Sequence, residues 1–595
     1  MTVFRASWVW TLSAATLLLA APPAAGDSTT AAGPISGLLG TDGYELSVIG
    51  DTSALAPMDG IGTAGWREAP WSTPRWQTPL LSATEGGFTG AIWAGSDPGT
   101  IGTLLAELPS ARDSATAFLL TRRLLLSASE PPSGFDPTTW LSLRVERLAA
   151  LADIEGLERL LALLPADQTP ALRRLAQLHI TLLRADRRTL CGLFTEPSQA
   201  AAGQRQDSEQ EIKIAALCRL EGEDLAGFQQ ALSPLRGVDP NDGFLALAEA
   251  ILSGQGLSAI LAAKLSTAEL DLLDAQLLHR FDYEAIRPLW GRINAAGRVA
   301  LNADMRVDLR LRTLAREWAV ATHRASAASL AQAYADFPFF GEDLAAGFGA
   351  GQGLSGATAR AFAWQSLQRL RDPGERLATV SWALDSARKD WTYGGAARVL
   401  LPRLDFSPEA ASIPGVSDLA GRALYVMGRY EEATAWLLVA RREGAISAQA
   451  ANATWRLWPY ASLAGLAMPN EPMGLMAWRS TQGYEAEDQL LAREALLLEL
   501  LRALGDGMNT GWFGAPEQAL TAPQPQSQAA AALTLSSMQG HSGETLARVL
   551  NLLGDWNRTA PTPSDVALAV QALDRIGLPL EARALAIESA HRAGI

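Results

Sequence analysis

Residues Gly421–Arg442, GRALYVMGRYEEATAWLLVARR, decide how this chain is read. The stretch has the make-up of two short helices joined by a turn. Gly428 closes the first helix, Ala433 leaves room for the two helices to approach, and Leu437 fills the groove between them. The same offset from glycine to alanine returns near the C-terminus, where Gly577 precedes Ala582 in GLPLEARALAIESA. Far upstream the pattern is again helical. Leu141, Val145 and Leu148 recur at spacings of four and three, followed by Ile154, Leu157, Leu161 and Leu164, with the polar break Ala152-Asp153 between them. Helices this short are not stable alone, so they must pack on one another.

Self-comparison extends the pattern. Leu151–Pro165 and Leu220–Pro234 align without a gap, each ending in Ala-Leu-x-Pro. Pro197 falls between their prolines, at intervals of 32 and 37 residues. With Gly428, Tyr430, Ala433, Leu437 and Ala440 matching the glycine, aromatic, small and large apolar pattern, the chain resembles a degenerate tetratricopeptide-repeat protein. Gly577 and Ala582 carry the resemblance at the C-terminus. Pro579 replaces the aromatic there, and the usual tryptophan and second glycine of the first helix are missing throughout. The resemblance implies an all-α, right-handed helical-repeat solenoid with a concave binding face, and names no partner.

The organisation expected is a signal peptide at 1–26, an irregular arm at 27–112, a helical block at 113–401, a proline-containing break at 402–417, and a second helical block at 418–595 with a linker-like loop at 515–528. Arg5, the apolar run Trp8–Ala21 and Ala24-Ala25-Gly26 compose the export signal and place the mature start near Asp27. The run is too short to span a bilayer, and no later stretch predicts an integral membrane span. The arm carries Trp66, Trp71, Trp76 and Trp93 and a candidate strand at Tyr44–Ile49, and its aromatic residues are expected to tuck against the body.

The 595 residues are 48% hydrophobic, with a formal net charge of −14. That balance disfavours nucleic acid and anionic lipid as partners. Scarce lysine (Lys213, Lys264 and Lys389) beside abundant Ala, Leu and Gly suggests a bacterial source, so export leads to the periplasm, or less commonly to the cell surface. In that oxidising setting Cys191 and Cys218, the only cysteines, are expected to form a disulfide; two buried thiols are the alternative.

No constellation for chemistry stands out, and no cofactor or metal is expected. Gly351–Gly356 fits a dinucleotide fingerprint only formally, because no strand precedes it. The histidines (His179, His279, His323, His541, His591) lack ligand spacing. Glu588-Ser589 resembles the catalytic pair of exported lytic transglycosylases but sits too near the end for a lysozyme-like domain. The C-terminal aromatics include Trp382, Trp391, Tyr393, Trp436, Trp478 and Trp512. Trp455, Trp458 and Tyr460 are the candidates for a partner surface, with core packing as the alternative. The function expected is a non-catalytic periplasmic scaffold that binds protein partners. A glycan-associated superhelical protein and an accessory of a periplasm-spanning machine are the alternatives.

Overall fold

The computed structural model describes residues 80–595 except 89, 128–130, 132–134, 165–168, 196–208, 239–241, 255, 258, 405–412, 414, 467–473, 484–486, 506–526 and 557–560. The chain divides into Met1–Thr41, none of it described, and Asp42–Ile595, which holds every described residue. The signal peptide, most of the arm with its candidate strand, Trp512 and most of the loop at 515–528 therefore lie outside the described residues.

The described residues of Asp42–Ile595 are all-α, 75% helical, with about 29 helices packed in pairs. Among the described residues there is no strand, only the single bridges Leu81–Ser127 and Leu270–Ile293, and no helix is long and apolar enough to cross a membrane.

One turn recurs through the chain. The first helix of a pair ends in a residue with left-handed backbone, and the next amide bonds the carbonyl five residues back, satisfying a helix-end acceptor that would otherwise be orphaned. The left-handed residues include Ala152, Ala185, Glu223, His323, Trp391, Gly428, Gly540 and Gly577. The closing bonds, from Asp153 to Leu148 through Leu578 to Leu573, measure 2.7–3.1 Å. Where Asp follows, it also starts the second helix: the carboxylates of Asp153, Asp186 and Asp224 accept from the amides of Gly156, Thr189 and Gly227. Ala152 and Ala185 lie 33 residues apart; Trp391 and Gly428, and again Gly540 and Gly577, lie 37 apart.

In the hairpin that opened the reading, helices Val416–Val426 and Tyr430–Gly444 pack together with Ala433, Leu437 and Ala440 fully or almost fully buried. Gly428 sits in the turn at φ +80°. A Cβ there would meet nothing within 4 Å, so its left-handed backbone, not a close approach by Ala433, requires glycine. The tight approach is at Gly421, where a Cβ would come within 2.7 Å of Leu457 on helix Ala448–Leu463.

Pro234 and Pro459 are expected to stop their helices, since proline cannot continue the hydrogen-bond ladder, and residues 27–112 to be irregular; the structure departs from each. Pro459 does not end its helix, which runs on to Leu463. Pro234 opens the short helix Ser233–Val238 instead of stopping one, since a ring without N–H costs nothing in a first turn. Residues 80–112 are partly helical, with Pro98–Ala106 capped by Asp97.

The pairs do not contact only their chain neighbours. Helices Pro98–Ala106 and Ala115–Leu126 pack against Ser542–Leu553, and Ala115–Leu126 also packs against the last helix, Pro579–Ala593. That last helix touches Val416–Val426 and Ala448–Leu463 as well. Of the four tryptophans of the arm, Trp93 lies among the described residues; it is buried and edge-on to Trp140 at 6.3 Å, and Trp66, Trp71 and Trp76 lie outside them.

Candidate functional site

Polar contacts join the segment around Ser110–Thr116 to the C-terminal end of the chain, where Pro563–Arg575 and Pro579–Ala593 form the last helix pair. Glu588, on the last helix, caps the start of Ala115–Leu126, accepting from the amides of Ala115 at 3.0 Å and Thr116 at 3.1 Å and from the Ser114 hydroxyl. A carboxylate at a helix N-terminus satisfies orphan amides and complements the helix dipole. Asp555 accepts from Ser110 and the Arg112 amide, and Arg123 pairs with Glu581. Next to this cap the buried Asp113 carboxylate binds Arg112 at 2.9 Å and Arg298 at 2.7 Å. Burial alone would raise its pKa; Arg298, Arg112 and Arg592 reverse that and hold it well below the usual carboxylate range.

Trp391 projects beside this cluster. It is the left-handed residue of the turn between helices Pro373–Lys389 and Tyr393–Leu400, at φ +60°, and is 50% exposed. A bulky side chain in this backbone region costs about 1–3 kcal/mol and persists only where its surroundings enforce it. Its neighbours do so. Asp390 is buried and paired with Arg287 and, at 2.9 Å, with Arg360, which also holds the fully buried Glu317. The fully buried Thr392 donates its amide to Ala387. The indole is therefore carried on a rigid turn.

Between Trp391 and the C-terminal pair lies a cavity of about 290 Å³. Trp391, Leu496, Trp556, Pro561, Pro563 and Val566 form most of its wall; Asp113, Ser589, Arg592 and Ala593 complete it. The Arg592 guanidinium stacks on both indoles, 4.4 Å from the Trp556 ring centroid and 5.3 Å from that of Trp391. Its ion pair with Glu588 is long, at 3.7 Å. Among the described residues it donates no hydrogen bond, because Glu588 is committed to the helix cap and Asp113 to Arg112 and Arg298. An apolar chamber with an under-used cation on its wall suits binding better than bond-breaking.

The sequence-expected residues fare unevenly. Cys191 on Arg187–Thr195 and Cys218 on Glu209–Glu221 form a disulfide with Cα atoms 5.5 Å apart, joining one hairpin to the next. Trp458 and Tyr460 are not a partner surface: Trp458 is 5% exposed and lies over Gly474, and Tyr460 is fully buried against Tyr425 and the C-terminal Ile595. They lie on different sides of their helix, Trp458 against Gly474 and Tyr460 against the last helix and its end. Trp455 is only partly covered. Gly577 is a left-handed turn residue and Ala582 a buried contact, both distant in role from the cavity. Glu588 is the helix cap, and the buried Ser589 hydroxyl bonds the Leu585 carbonyl, so neither is arranged as a nucleophile with a base.

The reading of the sequence missed Asp113, Trp556 and Arg592; Asp113 lies hundreds of positions before the other two and meets them only through long-range packing. Of the cavity residues the sequence pointed to Trp391, as one of the C-terminal aromatics, but not to the left-handed turn that carries it. Comparison of the chain with known protein families, curated proteins and solved structures finds no match.

Proposed function

We propose that this chain is a non-catalytic interaction protein of the bacterial envelope that engages a protein partner at the cavity between Trp391 and the C-terminal helix pair. The observation that carries the reading is Trp391 itself: half-exposed, held in a costly backbone conformation by buried ion pairs, and leading into an apolar chamber. Strain kept at an exposed aromatic marks a position selected for contact and not for packing. The Cys191–Cys218 disulfide supports an oxidising compartment, in keeping with an export signal and a periplasmic location. Affinity capture from envelope extracts tests the reading. Wild-type protein should retain a partner that Trp391→Ala loses while keeping its melting temperature. Equal capture by both proteins, or retention of purified peptidoglycan in a Trp391-dependent manner instead, would overturn it.

A further inference from the structure

We propose that the occupant of this cavity is the free C-terminal end of a partner polypeptide, with its α-carboxylate on Arg592 and its apolar last side chain between Trp391 and Trp556. The inference rests on the reading that a protein partner binds here, and it specifies which part of that partner does so.

Charge decides the polar end. The whole chain carries −14, yet Arg112, Arg298 and Arg592 converge on the single carboxylate of Asp113. Arg112 and Arg298 share the two Asp113 oxygens at 2.7–2.9 Å, and the remaining nearby carboxylate, Glu588, is spent on amides of Ala115 and Thr116. Arg592 keeps its planar fork of donors for a ligand, clamped between two rings that fix its plane. A guanidinium presented this way matches a carboxylate in bidentate geometry.

Shape decides the rest. Apart from Asp113, Ser589 and Ala593, the wall around Arg592 is indole, proline, leucine and valine, and the Asp113 carboxylate is already paired with Arg112 and Arg298, so the wall favours an uncharged apolar body next to the anion. A volume of about 290 Å³ accommodates one large side chain with its terminal carboxylate, and not a folded surface. A polypeptide end supplies both features on one residue and leaves the preceding chain to exit past the half-exposed Trp391.

The test uses the full chain and two fluorescein-labelled pentapeptides of neutral sequence ending in Phe, one a free acid and one an amide, followed by fluorescence anisotropy. The acid should bind, and the amide should bind at least about tenfold more weakly, the loss expected for one charge-assisted contact. Arg592→Gln, with its fold checked by circular dichroism, should remove the discrimination, and Trp391→Ala should weaken both peptides. Equal binding of acid and amide to the wild type overturns the proposal, as does failure of both to bind. Displacement of the peptide by 3-phenylpropionate at equal affinity overturns it in favour of a small-acid site. If neither peptide binds while partner capture still depends on Trp391, this inference fails and the wider reading stands; if capture is independent of Trp391, the wider reading fails as well.

Discussion

At the scale of the residue, two tryptophans with the same name do opposite things. Trp458 is core, lying over Gly474, and Trp458→Ala should cost about 3–5 kcal/mol. Trp391 occupies a left-handed position where glycine is the unstrained choice. Trp391→Gly removes its stacking on Arg592 but releases backbone strain, so the two effects offset to within about 1 kcal/mol. Melting curves of the two variants separate the roles; a fall for Trp391→Gly as large as that for Trp458→Ala would make Trp391 a structural residue. Sequence could not divide them, because hydrophobicity and helical spacing report that a ring wants cover and not which neighbour supplies it. The cover for Tyr460 comes from Ile595, which lies 135 residues on.

At the scale of the element, the helical hairpin was legible and its punctuation was not. Gly428 and Gly577 announced two turns, but Ala152, Ala185, Glu223, His323 and Trp391 close theirs with side chains that give no such signal. What those turns share is a backbone bond back to the fifth preceding residue, which any residue able to bear a positive φ can complete. Within the hairpin, Ala433 is fully buried where helices Val416–Val426 and Tyr430–Gly444 pack. Ala433→Trp should therefore overpack the contact and destabilise by about 1–3 kcal/mol or more, read as a lowered urea midpoint. The helix pairs on either side of residues 196–208 are joined by Cys191–Cys218, the pairing expected from an export signal and two cysteines. Reduction should lower stability by roughly 3 kcal/mol in the chain-entropy view. Thiol labelling of the denatured, unreduced protein should find no reactive cysteine; full labelling would refute the bridge.

At the scale of the molecule, the meeting of first and last helices was beyond reach of any local pattern, since a repeat reading assumes that each unit touches its chain neighbours. The buried charges gathered by such long-range packing carry a pH dependence. Burial, with Arg398 and Arg324 adding repulsion, lowers the His323 pKa from 6.5 to about 3, and His591 is depressed by burial and by Arg388, Arg422 and Arg592. Both rings stay neutral in the fold but take up protons in the unfolded chain below pH 6.5, so stability is lost as pH falls from there towards about 3. His323 alone should account for about 2 kcal/mol between pH 8 and pH 5. His323→Asn, which tolerates the left-handed turn and still offers Arg398 an acceptor, should flatten the dependence of melting temperature on pH. The central claim is that the C-terminal helix completes the N-terminal one and, in doing so, builds the cavity. Hydrogen exchange read residue by residue in Glu588→Ala tests it most directly. The amides of Ala115 and Thr116, 473 and 472 positions from Glu588, should lose protection while helix Ile154–Leu163 keeps its own; unchanged protection at Ala115 and Thr116 would contradict the account.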